Sequence, residues 1–175
     1  MPRKLVPRKP CGWLHRWTCD PSEEIRGVAV VDLRLVYSDL VRFEIELWGA
    51  VDARLQAECD LQLTWFEVMR LLGERGGCRV LDIAEEFRIT VGGTSKVVDR
   101  VEAAGYCRRR ANPDDRRSSI VELTASGRRL LAKAAKVFDD ELEIRIGSVL
   151  PERSLKQLAA ALSRLRAAHR ASAHA

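Results

Sequence analysis

With 175 residues, 46% of them hydrophobic and 31% charged, the chain can bury a core of its own and is neither a disordered tail nor a fibrous repeat. Its net charge of +5 is small for a nucleic-acid surface unless that charge is gathered in a few places. No apolar run is long enough to span a bilayer, and the basic N-terminus lacks the apolar stretch of a secretory signal. The cytoplasm is therefore the expected location, with no membrane partner.

Residues 1–30 read as an N-terminal basic arm with a short helix. Arg3, Lys4, Arg8, Lys9 and Arg16 alternate with prolines, and Trp13 and Trp17 stand one helical turn apart. A structureless extension, or a start codon placed too early, reads equally well there.

Val31 to Ala57 has the period of a long helix, with Leu33, Val36, Leu40, Phe43, Leu47, Val51 and Leu55 on one face. Thr64 is placed to cap a second helix, Trp65 to Leu72, with Glu67 at the capping-box position and Gly73, Gly76 and Gly77 breaking it. Arg79 and Val80 suit a short strand. Leu81–Phe87 suits a short helix burying Leu81, Ala84 and Phe87.

The stretch from Val80 to Thr124 carries the chemistry. Thr90 is a good N-cap for a helix in which Val91, Thr94, Val97, Val98, Val101 and Ala104 form the buried stripe. Gly105 ends it. Gly92 and Gly93 in its first turn cost about 1 kcal/mol each relative to Ala, a cost that a purely structural helix does not recover. A helix entering a groove tip-first does recover it, because backbone and small hydroxyls approach base edges. The competing reading is that the two glycines only lengthen the turn.

Tyr106 to Arg110 and Ser118 to Leu123 read as a hairpin around the turn formers Ala111-Asn112-Pro113-Asp114-Asp115. Arg108, Arg109, Arg110, Arg116 and Arg117 crowd it. Held that close, they call for anions, with Asp114 and Asp115 supplying part and a phosphate backbone the rest. A solvated charged loop is the bland alternative.

Thr124 starts a helix reaching about Val149, with Leu130, Leu131, Ala134, Val137, Phe138, Leu142, Ile146 and Val149 in register. Pro151 opens a last helix carrying Leu155, Leu158, Leu162 and Leu165 to about Ala168. The tail Ala171–Ala175 is expected to fray.

VVDRVEAAGYCRRR and NPDDRRSSIVELTASGR resemble the MarR family, the bacterial winged-helix regulators named for multiple antibiotic resistance. In that family an Asp two residues before an Arg sits on the wing, with a hydrophobic-Thr pair eight and nine residues after the Asp. Asp115, Arg117, Leu123 and Thr124 fill those positions. The resemblance runs from about Val31 to Ala168. It implies that Val91–Ala104 enters the major groove, and that Arg117 reaches the minor groove while Asp115 orients it. It also implies a homodimer, and a ligand pocket where the dimer helices meet the winged lobe.

The expected fold is mainly α with a small β-hairpin wing: a winged helix-turn-helix at 61–123 and a helical dimerisation region at 31–60 and 124–168. The expected contacts to double-stranded DNA are Thr90, Gly92, Gly93, Thr94, Ser95, Lys96, Arg100, Arg110, Asp115, Arg116 and Arg117. Apolar helix faces lying outside the winged motif suit a twofold partner, or else wrap one monomeric core. The function expected is a sequence-specific transcriptional regulator, a repressor by family precedent. It would bind a palindromic operator as a dimer, with affinity set by a small-molecule effector. Arg42, Trp48 and Trp65 could line the effector pocket, unless both Trp belong to the core.

The alternatives are a non-inducible architectural DNA-binding protein and a thiol-based redox sensor. Cys11, Cys19, Cys59, Cys78 and Cys107 show no metal spacing, and Cys59 is the best placed for sensing. No nucleophile–base pattern or phosphate loop suggests an enzyme, and no metal or cofactor is expected.

Overall fold

The computed structural model describes residues 31–115 and 117–172. The basic arm at 1–30 and the side chain of Arg116 lie outside those residues.

Helix α1 (Leu33–Cys59) begins where the Asp32 carboxylate accepts the Arg34 N–H at 2.8 Å, and it ends at Asp60, with φ 50°. Of the seven apolar positions on its face, only Val51 and Leu55 are buried. Leu33, Val36, Leu40 and Phe43 are exposed, because the helix runs past the core rather than along it.

Helix α2 (Leu63–Arg75) corrects the sequence reading of its start. Thr64 lies inside the helix. The preceding Gln62 offers no side-chain cap, and Asp52 of α1 accepts the Leu63 N–H at 2.7 Å instead. A carboxylate from a neighbouring helix thus does what a local capping box was expected to do. Glu67 binds Arg70 rather than the helix start. Gly73 does not break α2, which continues to Arg75 and turns at Gly76, φ 70°.

Strand β1 (Cys78–Arg79) leads into α3 (Val80–Phe87), where Asp82 accepts the Arg79 N–H at 2.8 Å. Here Ile83 and Ala84 face the core, Phe87 is half-buried and Leu81 is exposed, so the buried face is rotated from the expected one. Helix α4 (Val91–Ala103) is capped by Thr90, whose hydroxyl accepts the Gly93 N–H at 3.2 Å. Thr94, Val98 and Val101 are its buried stripe. Val91 and Ala104, at the two ends, reach past the core and are exposed.

Strands β2 (Cys107–Ala111) and β3 (Ser119–Leu123) form the wing, and the antiparallel sheet has the order β1-β3-β2. The register pairs Cys107 with Leu123 and Arg108 with Glu122. Helix α5 (Ala125–Leu142) starts at Thr124, whose hydroxyl accepts the Gly127 N–H at 3.0 Å. It gives way to a π-helical turn, Glu143–Gly147, short of the expected end at Val149. Helix α6 (Glu152–Ser172) follows.

The core lies where α1, α2 and α5 meet the sheet. Phe66 of α2 stacks on Phe138 of α5 with ring centroids 4.8 Å apart, and burying a side chain of this size stabilises by about 1.5–3 kcal/mol. Around this pair sit Leu55, Leu61, Met69, Leu72 and Ile83.

Two features tie the layers together. Gly127 packs directly on the Tyr106 carbonyl, and a Cβ there would overlap its oxygen and stand 2.9 Å from its carbon. Glu141 of α5 is buried, yet it accepts from Arg54 of α1 at 3.0 Å and from Arg145 at 2.8 Å. The Arg145 bond, aided by Arg54, holds its carboxyl below the usual range, and burial works against both.

Gly127→Ala is expected to destabilise the protein by more than about 2 kcal/mol, since backbone on both sides must move; urea denaturation checks this. Because the folded Glu141 pKa is depressed, its contribution is present above the unfolded pKa and fades as pH falls through the folded one. Glu141→Gln should therefore cost about 1 kcal/mol at pH 7. The gap between wild type and variant should close in the acid range, below the usual carboxylate pKa, in denaturation series at several pH values.

Candidate nucleic-acid interface

The exposed end of α4 and the wing form the candidate surface. At the helix tip Gly92, Gly93, Lys96 and Arg100 are exposed and Ser95 is half-buried. Thr90 is exposed, with its hydroxyl taken up by the cap. Nothing lies within 4 Å of where a Gly92 Cβ would sit, so packing within the chain does not demand glycine there.

Thr94 must be withdrawn as a direct contact. Its side chain is fully buried, and its hydroxyl donates to the Thr90 carbonyl at 3.0 Å. The helical period that placed it on the core stripe excludes it from the outer face.

The wing charges are arranged differently from the sequence expectation. Arg108 and Arg110 both bind Glu122, the former at 2.9 Å and the latter at 3.0 Å. The Arg108 and Arg110 hydrogen bonds hold the Glu122 carboxyl below its ordinary range. Arg109 turns the other way and binds Asp99, at 2.6 Å, and Glu102 of α4. These three arginines thus meet three carboxylates of their own scaffold, and Asp114 and Asp115 pair with none of them. Strand alternation contains the signal: Arg108 and Arg110 share the face of Glu122, while Arg109 faces the helix behind.

Among the described residues, Arg88, Lys96, Arg100 and Arg117 form no ion pair with a carboxylate. Arg88 was missed in the sequence. It is exposed, with φ 54°, at the end of α3 beside the start of α4. Its signal was its place in the turn between the two helices.

At the tip of the wing, Asn112 organises the turn. It accepts the Asp114 N–H at 3.1 Å and donates to the Ser118 hydroxyl at 2.8 Å. Asp115 accepts the backbone N–H of Arg117 at 2.9 Å. It shapes the loop through the main chain and leaves the Arg117 guanidinium to solvent.

Of the residues expected around an effector, only Trp48 lines a cavity of suitable size, about 400 Å³, between α1, α2 and the inner face of α4. Arg42 is on another face of α1, about 9 Å along the helix and about 120° around it, and is exposed. Trp65 packs against the core, its indole N–H buried without an acceptor. Glu67 and Phe87, not foreseen as lining residues, complete the walls with Ile89 and Val97.

Cys59 is half-buried, and Cys78 and Cys107 are buried. Burial pushes the Cys78 thiol up and the Cys107 thiol to about 11, which disfavours a reactive thiolate at either. Among the described residues no group of His, Cys, Asp and Glu could hold a metal ion, and no helix is long and apolar enough to cross a membrane.

The model of the MarR family matches residues 61–119, from the start of α2 through the wing. The transcriptional regulator HosA of Escherichia coli O111:H- is 32% identical over 108 residues, spanning 61% of this chain and 80% of that one. The chain belongs to the MarR family. Across this MarR-family chain, the Bacillus subtilis (strain 168) HTH-type regulator YfiV is 30% identical over 82 residues, a match covering 47% of this chain and only 51% of YfiV. The crystal structure of Sco3205, a MarR family transcriptional regulator from Streptomyces coelicolor in complex with DNA, superposes with a TM-score of 0.71. That match is at 24% identity, over 76% of this chain and 88% of that one, and bears on the fold. As a member of the MarR family, the protein is a winged-helix, DNA-binding transcriptional regulator.

For a MarR-family helix tip, Gly92 gives a sharp test. Gly92→Ala should leave the melting temperature unchanged or raise it, by up to about 1 kcal/mol of stability. Gly92→Leu should weaken DNA binding at least about tenfold by blocking close approach. Equal DNA affinity in both variants, read by titration of a labelled fragment, would place the tip away from DNA.

Proposed function

We propose that the protein is a homodimeric, sequence-specific repressor that grips a palindromic operator. Two copies of α4 would lie in successive major grooves and two wings in the flanking minor grooves. The observation that carries this reading is the shared exposure of Lys96, Arg100 and Arg117, free of carboxylates, beside a helix tip with open space at Gly92. The Sco3205 complex with DNA supports the choice of partner.

Thr90, Gly92, Gly93, Ser95, Lys96 and Arg100 then form the helix contact. Arg117 is the wing contact and Asp115 shapes the loop that presents it. Arg110 acts as a brace for the wing through Glu122 and, at 48% side-chain exposure, reaches phosphate only from its edge.

The dimer rests on a second observation. Leu33, Val36, Leu40 and Phe43 of α1 and Leu158, Leu162 and Leu165 of α6 are exposed, and large apolar side chains repeated along one helix are the usual mark of a face that a partner covers. A twofold partner would bury both faces at once. In this reading residues 31–60 and 124–168 are the dimerisation region and 61–123 the DNA-binding region. An effector seated at Trp48 would favour one spacing of the two lobes and so alter operator affinity.

Recovery of bound fragments from the host genome, followed by footprinting, tests the whole reading; it should return a site with twofold symmetry. Arg117→Ala is expected to weaken binding and lower the slope of log affinity against log salt by about 1 per protomer; an unchanged slope removes the wing from the interface. Leu40→Asp with Phe43→Asp should give folded monomers, by sedimentation and circular dichroism, that bind DNA at least about a hundredfold more weakly. A variant that stays dimeric refutes the proposed interface.

A further inference from the structure

We propose that the cavity behind the recognition helix takes a small aromatic cation, a protonated amine, with Glu67 as its counter-charge and Trp48 as its stacking surface. This rests on the effector reading above and adds the chemical class of the effector.

The charge in the walls decides the class. Glu67 is the one charged side chain lining the cavity of about 400 Å³, and the remaining walls include Trp48, Phe87, Ile89 and Val97. Trp48 and Glu67 also line a neighbouring cavity of about 160 Å³, where the added charged group is a second carboxylate, Glu44. Neither cavity is lined by Arg, Lys or His. An aromatic carboxylate placed there would face like charge, and Arg70, the cation bound to Glu67, is already shared between two carboxylates.

Glu67 has room for a ligand. Arg70 donates to it twice, at 3.1 and 2.6 Å, and both bonds end on Oε2. The other oxygen, Oε1, has no hydrogen-bond partner among the described residues. Arg70 is shared with Glu74 at 2.6 Å, so this trio keeps one negative charge. The Glu67 side chain is only 19% exposed, and an ammonium group would meet a partly desolvated acceptor. Trp48 is 45% exposed and presents an indole to the same space. Indole faces attract cations more strongly than other aromatic rings.

The site is also placed to act. Thr94 and Val97 in its wall belong to the inner face of α4, whose outer face carries Lys96 and Arg100. An occupant would press on the helix from behind, so its seat and the DNA contact share one rigid element.

Three probes of similar shape separate charge from size: 4-phenylbutylamine, 4-phenylbutyrate and 4-phenylbutanol. Calorimetric titration of the full-length protein at pH 7 should rank the amine first, at least about tenfold tighter than the carboxylate. Glu67→Gln should cut that preference to less than about threefold with an unchanged melting temperature, and Trp48→Ala should weaken all three. A carboxylate that binds as tightly as the amine, or a preference that survives Glu67→Gln, overturns the cation assignment while leaving an effector site in place. If no probe binds at millimolar concentration and Trp48→Ala changes nothing, the effector reading falls as well.

Discussion

One backbone contact positions everything that faces outward. At the junction of α4, β2, β3 and α5, the Thr124 N–H donates to the Tyr106 carbonyl at 3.0 Å and its hydroxyl donates to the Gly105 carbonyl at 2.7 Å. Gly127 lets α5 lie on the same carbonyl with no side chain between. The recognition helix ends, the first wing strand begins, the second wing strand ends and α5 starts within this one knot. The wing can only point where α4 and α5 together allow. Such multiply bonded junctions are stiff because no single dihedral can relax without breaking a bond.

Charge on the wing follows from the same economy. An array of arginines along a hairpin would be self-repelling in the free protein, and the scaffold resolves this by pairing Arg108 and Arg110 with Glu122 and Arg109 with Asp99 and Glu102. Each of these pairs has at least one half-buried partner but stays open to water, which screens much of the attraction. Their role is more directional than energetic: Glu122 ties β2 to β3 through Arg108 and Arg110, Arg109 ties β2 to α4, and a short set of cations is left to face outward. Electrostatics at this surface is therefore carried by fewer groups than composition suggests.

Much of the fold could be read in the residues, because it depends on local periodicity and on turn chemistry. The Thr90 cap, the hairpin and the Thr124 start all rest on signals within a few residues, while the strand expected at Arg79 and Val80 lies one residue earlier, at Cys78–Arg79. The errors came where a distant group intervened. Asp52 caps α2 from another helix, and no window around Thr64 contains it. Helix α3 is an exception: Val80, Ile83, Ala84 and Phe87 form its inward stripe at i, i+3, i+4 and i+7, a local period that a reading through Leu81 passes over. The π-helical turn after Leu142 has no sequence signal that we can name. In the candidate site, exposure separated Thr94 from its neighbours, and pairing separated Arg110 from Arg117. Both depend on which face is turned inward. The cavity at Trp48 was half visible: its aromatic could be picked out, but Glu67 and the exclusion of Arg42 needed the crossing of α1 and α2.

Helix α1 has 27 residues, about 40 Å of rod, and only its C-terminal part, at Val51 and Leu55, is buried in the winged core. A rod clamped at one end magnifies rotation at the clamp: a tilt of about 5° there moves the far end by about 3 Å. Trp48 sits just beyond the clamped part, near the fulcrum. In the dimer proposed above, a molecule seated at Trp48 would change the spacing of DNA and second subunit without touching either.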